Sequence, residues 1–172
     1  QEDIADRVIK MLKGAMAELA VGDHGILATD IGPVIDEASQ QTLQDHFEEM
    51  QKSAKLIYQV ELNESHRAGS FFAPCAFEIN SINELKEEFF GPFLHVVRYA
   101  ASDIEQVLAD VNNTGFGLTF GIQSRIQESV NAIHSKVRAG NCYVNRNMIG
   151  AVVGVQPFGG EGLSGTGPKA GG

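Results

Sequence analysis

Strand-like and helix-like patterns alternate through the second half of this 172-residue sequence. Residues 93–99, 117–123 and 141–145 carry runs of apolar and aromatic side chains that predict strands. Between them, residues 102–112 and 124–138 repeat apolar side chains at helical spacing. Parallel strands need a long crossover connection, which is usually a helix. The order therefore favours an α/β fold with a mostly parallel sheet flanked by helices.

The first half of the sequence predicts two helices followed by two strands. Residues 3–20 and 36–53 show apolar side chains at helical spacing, whereas residues 55–60 and 71–79 are typical of strands. Pro74 interrupts the second strand, and a proline cannot donate to the hydrogen-bond ladder of a sheet. We therefore expect this strand to lie at a sheet edge or to contain a bulge.

A capping signal marks the start of the third helix. Ser102 is followed three residues later by Glu105, the pattern of a capping box in which each side chain bonds to the backbone N–H of the other residue. Gly140 is placed to end the next helix, because glycine readily adopts the left-handed conformation that follows many helices.

The overall composition limits the class of protein. A chain that is 43% apolar and 20% charged is typical of a soluble globular protein, and this length predicts one domain. The net charge of −9 argues against nucleic-acid binding, which needs clustered Lys and Arg. No apolar run reaches the roughly 18 residues that would span a bilayer, and no signal peptide opens the chain. We expect a cytoplasmic protein without a membrane span.

Neither the cysteines nor the histidines predict a reactive or metal-binding site. Cys75 and Cys142 are too few for a disulfide framework, and both lie in strand-like apolar runs. We interpret them as packed structural thiols in a reducing compartment. No histidine pairs with Cys, Asp or Glu at a zinc-like spacing, so we expect no metal. The histidines concerned are His24, His46, His66, His95 and His134.

Residues 150–172 are unusually rich in glycine, which supplies nine of the 23 positions. Such density is typical of a backbone that turns sharply or approaches a ligand through exposed N–H groups. Residues 160–165 match the pattern GxGxxG, but no strand precedes them and no helix can follow. We therefore do not assign a dinucleotide-binding role to this hexapeptide.

The segment 86–93, Lys-Glu-Glu-Phe-Phe-Gly-Pro-Phe, is a second unusual run. It brings carboxylates, aromatic rings and a rigid turn together just before a predicted strand. A solvated helix end would explain Glu87 and Glu88 equally well from their spacing alone. Because site residues are often held in turns by a rigid scaffold, Glu88 is a candidate functional residue.

Three blocks of the sequence resemble the C-terminal half of an aldehyde dehydrogenase catalytic domain. They are residues 86–92, 141–145 and 156–165, and their order and separation match the family over essentially the whole chain. The run 149–160 and the ending 165–172 are similar to one branch, the L-glutamate-γ-semialdehyde (Δ1-pyrroline-5-carboxylate) dehydrogenases. The version of that branch within a bifunctional proline-utilisation protein is the most similar.

The resemblance implies roles for five residues in an NAD-dependent reaction. Glu88 would hold the nicotinamide ribose hydroxyls, and Phe90 would pack beside the nicotinamide end. The backbone N–H groups of Gly150 and Ala151 would grip the α-carboxylate of the aldehyde substrate, and Phe158 would line its aliphatic part. A turn with successive N–H groups can bind an anion without a cationic side chain, which would suit a chain of net charge −9.

The resemblance also implies that the reacting sulfur lies outside this chain. In the family, the nucleophilic cysteine sits in a Gly-Gln-x-Cys motif upstream of the matched region, together with the general base and most of the nucleotide-binding domain. We therefore assign no catalytic residue, and we expect a fragment that is inactive without the remainder of its parent polypeptide. We expect the parent to form oligomers. FAD would be bound only by a possible proline dehydrogenase domain outside this chain.

We expect residues 1–149 to form a partial catalytic domain, with residues 150–172 as its glycine-rich anchor loop and tail. Two alternatives stay open at this point. The chain could be a non-catalytic anion-binding or interaction module that kept the fold. It could also belong to an aldehyde dehydrogenase that acts on a different aldehyde.

Overall fold

The computed structural model describes residues 1–151 and 154–171, apart from the side chain of Arg67. Val152, Val153 and Gly172, which belong to the glycine-rich segment, lie outside the described residues. The chain divides into two compact units, Gln1–Ala101 and Ser102–Gly172.

The first unit contains two helices and a three-stranded sheet of order β1-β2-β3. β1 and β2 are antiparallel, whereas β2 and β3 are parallel. The bounds are α1 Glu2–Ala17, α2 Glu37–Ser53, β1 Lys55–Gln59, β2 Cys75–Ile79 and β3 Phe93–Val97.

Helix α2 forms the core of this unit because its apolar residues recur at helical spacing. Leu43, Phe47 and Met50 are all buried in one cluster with Phe72 and Phe77. The helix begins after Asp36, whose carboxylate accepts a hydrogen bond of 2.7 Å from the N–H of Ser39. Such a cap satisfies one of the free N–H groups at a helix start.

In its described residues, the second unit contains two α-helices and two small two-stranded sheets. β5 and β6 are parallel and joined through α4, whereas β4 and β7 are antiparallel. The α/β class predicted from the sequence is confirmed, with a mixture of parallel and antiparallel pairs. The bounds are α3 Ile104–Asn113, β4 Phe116–Gly117, β5 Thr119–Ile122, α4 Gln127–His134, β6 Asn141–Val144 and β7 Glu161–Gly162.

The expectation for the strand around Pro74 was wrong. β2 begins at Cys75, directly after the proline, and it is the central strand of its sheet. Pro74 takes part only through its carbonyl, which accepts a hydrogen bond from the N–H of Val60. The irregular register lies instead in β1, between Leu56 and Tyr58.

The capping box predicted at Ser102 is also absent, because a 3₁₀ turn at Ala101–Asp103 precedes α3. The hydroxyl of Ser102 donates to the carboxylate of Asp103 rather than accepting from the helix. Among the residues that the structure describes, no helix is long and apolar enough to cross a membrane.

Candidate functional site

The five residues implied by the family resemblance fall into two groups, one in each unit. Glu88 and Phe90 lie in the turn before β3, in the first unit. Gly150, Ala151 and Phe158 lie after β6, in the second.

The turn that carries Glu88 packs against helix α2. Phe89 stacks on the ring of His46, with ring centroids 3.6 Å apart and an interplanar angle of 13°. Gly91 passes so close to the helix that a Cβ at this position would overlap Leu43. The glycine is therefore required by the close approach of backbone to helix.

Backbone hydrogen bonds then join the turn to the sheet. The N–H of Cys75 donates to the carbonyl of Pro92 at 3.0 Å, and the N–H of Phe93 donates to the carbonyl of Gly91 at 2.8 Å. These bonds hold the turn at the point where the parallel strands β2 and β3 begin.

Glu88 and Phe90 both project into solvent from this anchored turn. Phe90 is 80% exposed, which is unusual for a large apolar side chain. Glu88 is exposed and makes no hydrogen bond or ion pair with any residue that the structure describes. An ionised carboxylate beside an exposed ring can accept hydrogen bonds from a ligand whose flat part rests on the ring.

Two histidines for which the sequence predicted no functional role contact each other beside this turn. His46 and His95 share a hydrogen bond of 2.8 Å between their Nε2 atoms. Burial, together with the charge interaction with neighbouring His46, lowers the pKa of His95 to about 4. Burial also lowers the pKa of His46, although the charges of Glu49 and Glu87 oppose that shift. Both rings are therefore neutral near pH 7.

The second group lies in a segment that follows β6 and is tied to the end of the chain. Phe158 and Ala170 exchange two backbone hydrogen bonds of 2.9 and 3.1 Å. The N–H of Gly154 donates to the carbonyl of Gly171 at 2.9 Å. We call the described residues of this segment, 150–151 and 154–156, the anchor loop.

The backbone N–H groups of Gly150 and Ala151 are available for a ligand. Neither donates a hydrogen bond to another residue in the described part of the chain, and both residues are half-buried. Two successive free N–H groups are the chemical feature of a main-chain anion site. Phe158 is also half-buried and can supply apolar contact.

Tyr143 is a further residue of this region whose contacts the sequence did not reveal. Its hydroxyl donates to the carbonyl of Gly150 at 3.2 Å and accepts from the side-chain amide of Gln156 at 2.7 Å. The guanidinium carbon of Arg146 lies 4.8 Å from the centre of the Tyr143 ring. The two hydrogen bonds of the hydroxyl reach residues 7 and 13 positions away, and neither follows from a helix or strand periodicity.

The two cysteines are unsuited to nucleophilic attack. Cys75 is 1% exposed, and burial raises the pKa of its thiol to about 12. Burial also raises the pKa of Cys142. A thiolate is the reactive form, and both environments disfavour it. No group of three or more metal-binding side chains occurs among the described residues.

The GxGxxG hexapeptide forms an internal turn and does not open a helix. Gly162 has a φ of 60°, in the left-handed region, and its strand β7 pairs with β4. The N–H of Leu163 donates to Gly115, and the N–H of Gly167 donates to Gly160. The backbone donors that a phosphate would need are thus used within the fold.

A model of the aldehyde dehydrogenase family matches residues 1–172. The chain therefore belongs to the aldehyde dehydrogenase family, as the sequence blocks predicted.

Relatives of the chain indicate a particular branch of the aldehyde dehydrogenase family. It is 48% identical over 177 residues to the bifunctional protein PutA of Escherichia coli, a match that covers 100% of this chain and 13% of that protein. It is 35% identical over 173 residues to a 1-pyrroline-5-carboxylate dehydrogenase of Geobacillus, covering 99% of this chain and 33% of the relative. The solved structure of a mutant of proline utilization A (PutA) from Bradyrhizobium japonicum superposes with a TM-score of 0.93 at 54% identity. That match covers 99% of this chain and 17% of the PutA chain.

These similarities confirm the predicted fold and the predicted branch of the family. The chain spans less than a fifth of the PutA proteins it matches and a third of the 1-pyrroline-5-carboxylate dehydrogenase.

Proposed function

We propose that this chain supplies ligand-binding parts of an NAD-dependent dehydrogenase that oxidises L-glutamate γ-semialdehyde to L-glutamate in proline catabolism. The observation that carries the substrate assignment is the pair of N–H groups at Gly150 and Ala151, which have no hydrogen-bond partner among the described residues. The similarity to PutA and to 1-pyrroline-5-carboxylate dehydrogenase supports the same substrate.

The anchor loop suits a substrate that carries a carboxylate. The free N–H groups can each donate to a carboxylate oxygen, and such charge-assisted bonds are about twice as strong as neutral ones. A main-chain site needs no lysine or arginine, so it can operate in a chain whose net charge is −9. Phe158 would contact the methylene groups between the carboxylate and the aldehyde.

The turn at Glu88 suits the ribose end of the cofactor. Its carboxylate has no competing partner among the described residues and can accept hydrogen bonds from two neighbouring hydroxyls. The exposed ring of Phe90 would lie beside the nicotinamide. NAD, when bound, supplies the acceptor for the hydride that leaves the substrate.

The attacking thiol and the general base would come from other parts of a longer polypeptide. Neither Cys75 nor Cys142 is poised as a thiolate, so covalent catalysis needs a sulfur from outside these 172 residues. We place that polypeptide in the cytoplasm and expect it to form oligomers. FAD would serve only a proline dehydrogenase domain beyond this chain.

Proline at position 151 tests the carboxylate anchor. The variant Ala151→Pro in the full-length protein removes one N–H donor of the anchor. Losing a hydrogen bond to a charged group costs about 1.5–3 kcal/mol. We therefore expect kcat/KM for glutamate semialdehyde to fall by about 10- to 100-fold, and kcat/KM for a neutral aldehyde of equal length to change little.

The matched control is Ala151→Gly, which retains the N–H and removes only a methyl group. It should behave like the native protein toward both substrates. An equal loss of activity by Ala151→Pro toward both aldehydes would contradict the anchor. A full-length protein that binds L-glutamate but oxidises neither aldehyde would favour a non-catalytic binding module.

A further inference from the structure

The hydroxyl of Tyr143 is the contact that joins the two ends of the anchor loop. Its ring is buried, only 6% exposed, and its oxygen acts as donor to Gly150 and as acceptor from Gln156. A phenolic hydroxyl has one proton to donate, and here that proton is committed to the loop backbone. In the described part of the chain, this side-chain oxygen thus ties the loop to strand β6.

Other hydrogen bonds hold Asn145 and Arg146, which precede the anchor loop, but none of these bonds involves Gly150. Asn145 has a φ of 54°, in the left-handed region, and its side chain exchanges two hydrogen bonds with the backbone of Ser124. The side chain of Gln123 donates to the carbonyl of Arg146 at 3.0 Å. Among the described residues, the bond from Tyr143 is the one hydrogen bond that reaches Gly150.

Because a peptide bond is planar, the contact at the Gly150 carbonyl also fixes the direction of the N–H of Ala151. The carbonyl of Gly150 and the N–H of Ala151 belong to the same planar trans peptide, so they point in opposite directions. Holding the carbonyl toward the buried hydroxyl of Tyr143 therefore directs the N–H of Ala151 away from the protein interior. Without that bond, the peptide plane could rotate and withdraw the donor.

We propose that Tyr143 is a positioning residue for substrate specificity: by binding the carbonyl of Gly150, its hydroxyl orients the N–H of Ala151 toward the carboxylate of the substrate. The proposal rests on the function proposed above. Gln156 supports the same arrangement, because its amide donates to the lone pair of the Tyr143 oxygen and restricts rotation of the hydroxyl. Arg146 covers the face of the ring, a placement that favours attraction between cation and ring.

The test is Tyr143→Phe in the full-length protein, with kinetics on glutamate semialdehyde and on a neutral aldehyde of equal length. Phenylalanine keeps the buried ring and removes only the hydroxyl. We expect kcat/KM for the carboxylate substrate to fall by about three- to tenfold, mainly through KM, as for the loss of one neutral hydrogen bond. Activity toward the neutral aldehyde should stay within about twofold of native.

Tyr58→Phe is the matched control. Tyr58 lies in β1, and its hydroxyl makes no hydrogen bond with another described residue. This variant should leave both activities unchanged. An equal loss toward both aldehydes in Tyr143→Phe, or no loss toward either, would overturn the proposal.

Ala151→Pro separates failure of this inference from failure of the proposed function. If the proline variant loses selectivity for the carboxylate and Tyr143→Phe does not, the anchor stands and the role of Tyr143 falls. If neither variant loses selectivity, the anchor itself is wrong. Thermal unfolding of each variant, compared with native protein, identifies any loss that comes from misfolding.

Discussion

His46 lies beneath the turn that carries Glu88, and its ring contacts three other rings. Phe89 stacks on it, while Phe93 and His95 approach at 4.6 and 5.1 Å between centroids. Its Nδ1 atom is buried and has no hydrogen-bond partner among the described residues. Protonation would place a charge in this apolar stack, which is unfavourable unless the stack opens. The pair His46–His95 therefore makes the support of the turn sensitive to acid.

The stability of the first unit should fall as the pH drops from about 6.5 toward 4. The pKa of both histidines is lower in the folded chain than in the unfolded chain, so the unfolded chain binds more protons in this interval. The stability that the two neutral histidines contribute is complete above about pH 6.5. It is lost as the pH falls toward the pKa of His95 in the folded chain, about 4. Each group changes the free energy of unfolding by at most about 1.4 kcal/mol per pH unit.

Urea denaturation of the 172-residue chain at about pH 7 and pH 5 measures this effect. His95→Gln should reduce the difference in unfolding free energy between the two pH values, whereas His134→Gln, at an exposed position of α4, should not. If the native protein and both variants show the same difference in unfolding free energy between the two pH values, groups other than His95 cause that difference.

At the scale of elements, helix α2 and the turn at residues 86–93 form one packed structure. Leu85, which precedes the turn, Phe89 of the turn and Phe93 at the start of β3 pack against the cluster that includes Leu43 and Phe47 of the helix. Leu43 is 1% exposed and has little room to move. Packing in the core therefore fixes the position of the turn. It also restricts the backbone that carries the exposed residues.

The variant Gly91→Ala should destabilise the chain by about 1–3 kcal/mol, because the added Cβ would overlap Leu43 in a filled core. Gly14→Ala is the opposite case, since Gly14 lies within α1 with no atom near the added methyl group. Alanine favours a helix, so Gly14→Ala should stabilise by about 0.5–1 kcal/mol. Thermal unfolding of both variants measures the two effects. A neutral result for Gly91→Ala would show that the turn is not held against α2.

Elements with a strong local signal were predicted well, and those that depend on distant contacts were not. The two N-terminal helices occur at Glu2–Ala17 and Glu37–Ser53, within three residues of the predicted bounds. The fourth helix was predicted at 124–138 but spans only Gln127–His134. Its start is displaced because Ser124 bonds to Asn145 across 21 positions. No pattern in the local sequence contains that contact.

At the scale of the whole molecule, the sequence predicted the family and the fold, and the family model confirms the first over residues 1–172. The site roles of Glu88, Phe90, Gly150, Ala151 and Phe158 stay predictions. The structure adds the supports of these residues, the His46–His95 pair and the Tyr143 hydroxyl. The His46–His95 pair joins residues 49 positions apart, and the Tyr143 hydroxyl bonds to irregular backbone 7 and 13 positions away, so composition and spacing could not reveal either support.

We propose that main-chain amides of the anchor loop bind the carboxylate of the substrate. The most direct measurement is a crystal structure of the full-length protein with L-glutamate and NAD. We expect a carboxylate oxygen at about 3 Å from the amide nitrogens of Gly150 and Ala151, with the carboxylate of Glu88 bound to ribose hydroxyls. A glutamate held by lysine or arginine side chains, with both amides turned away from it, would contradict the claim.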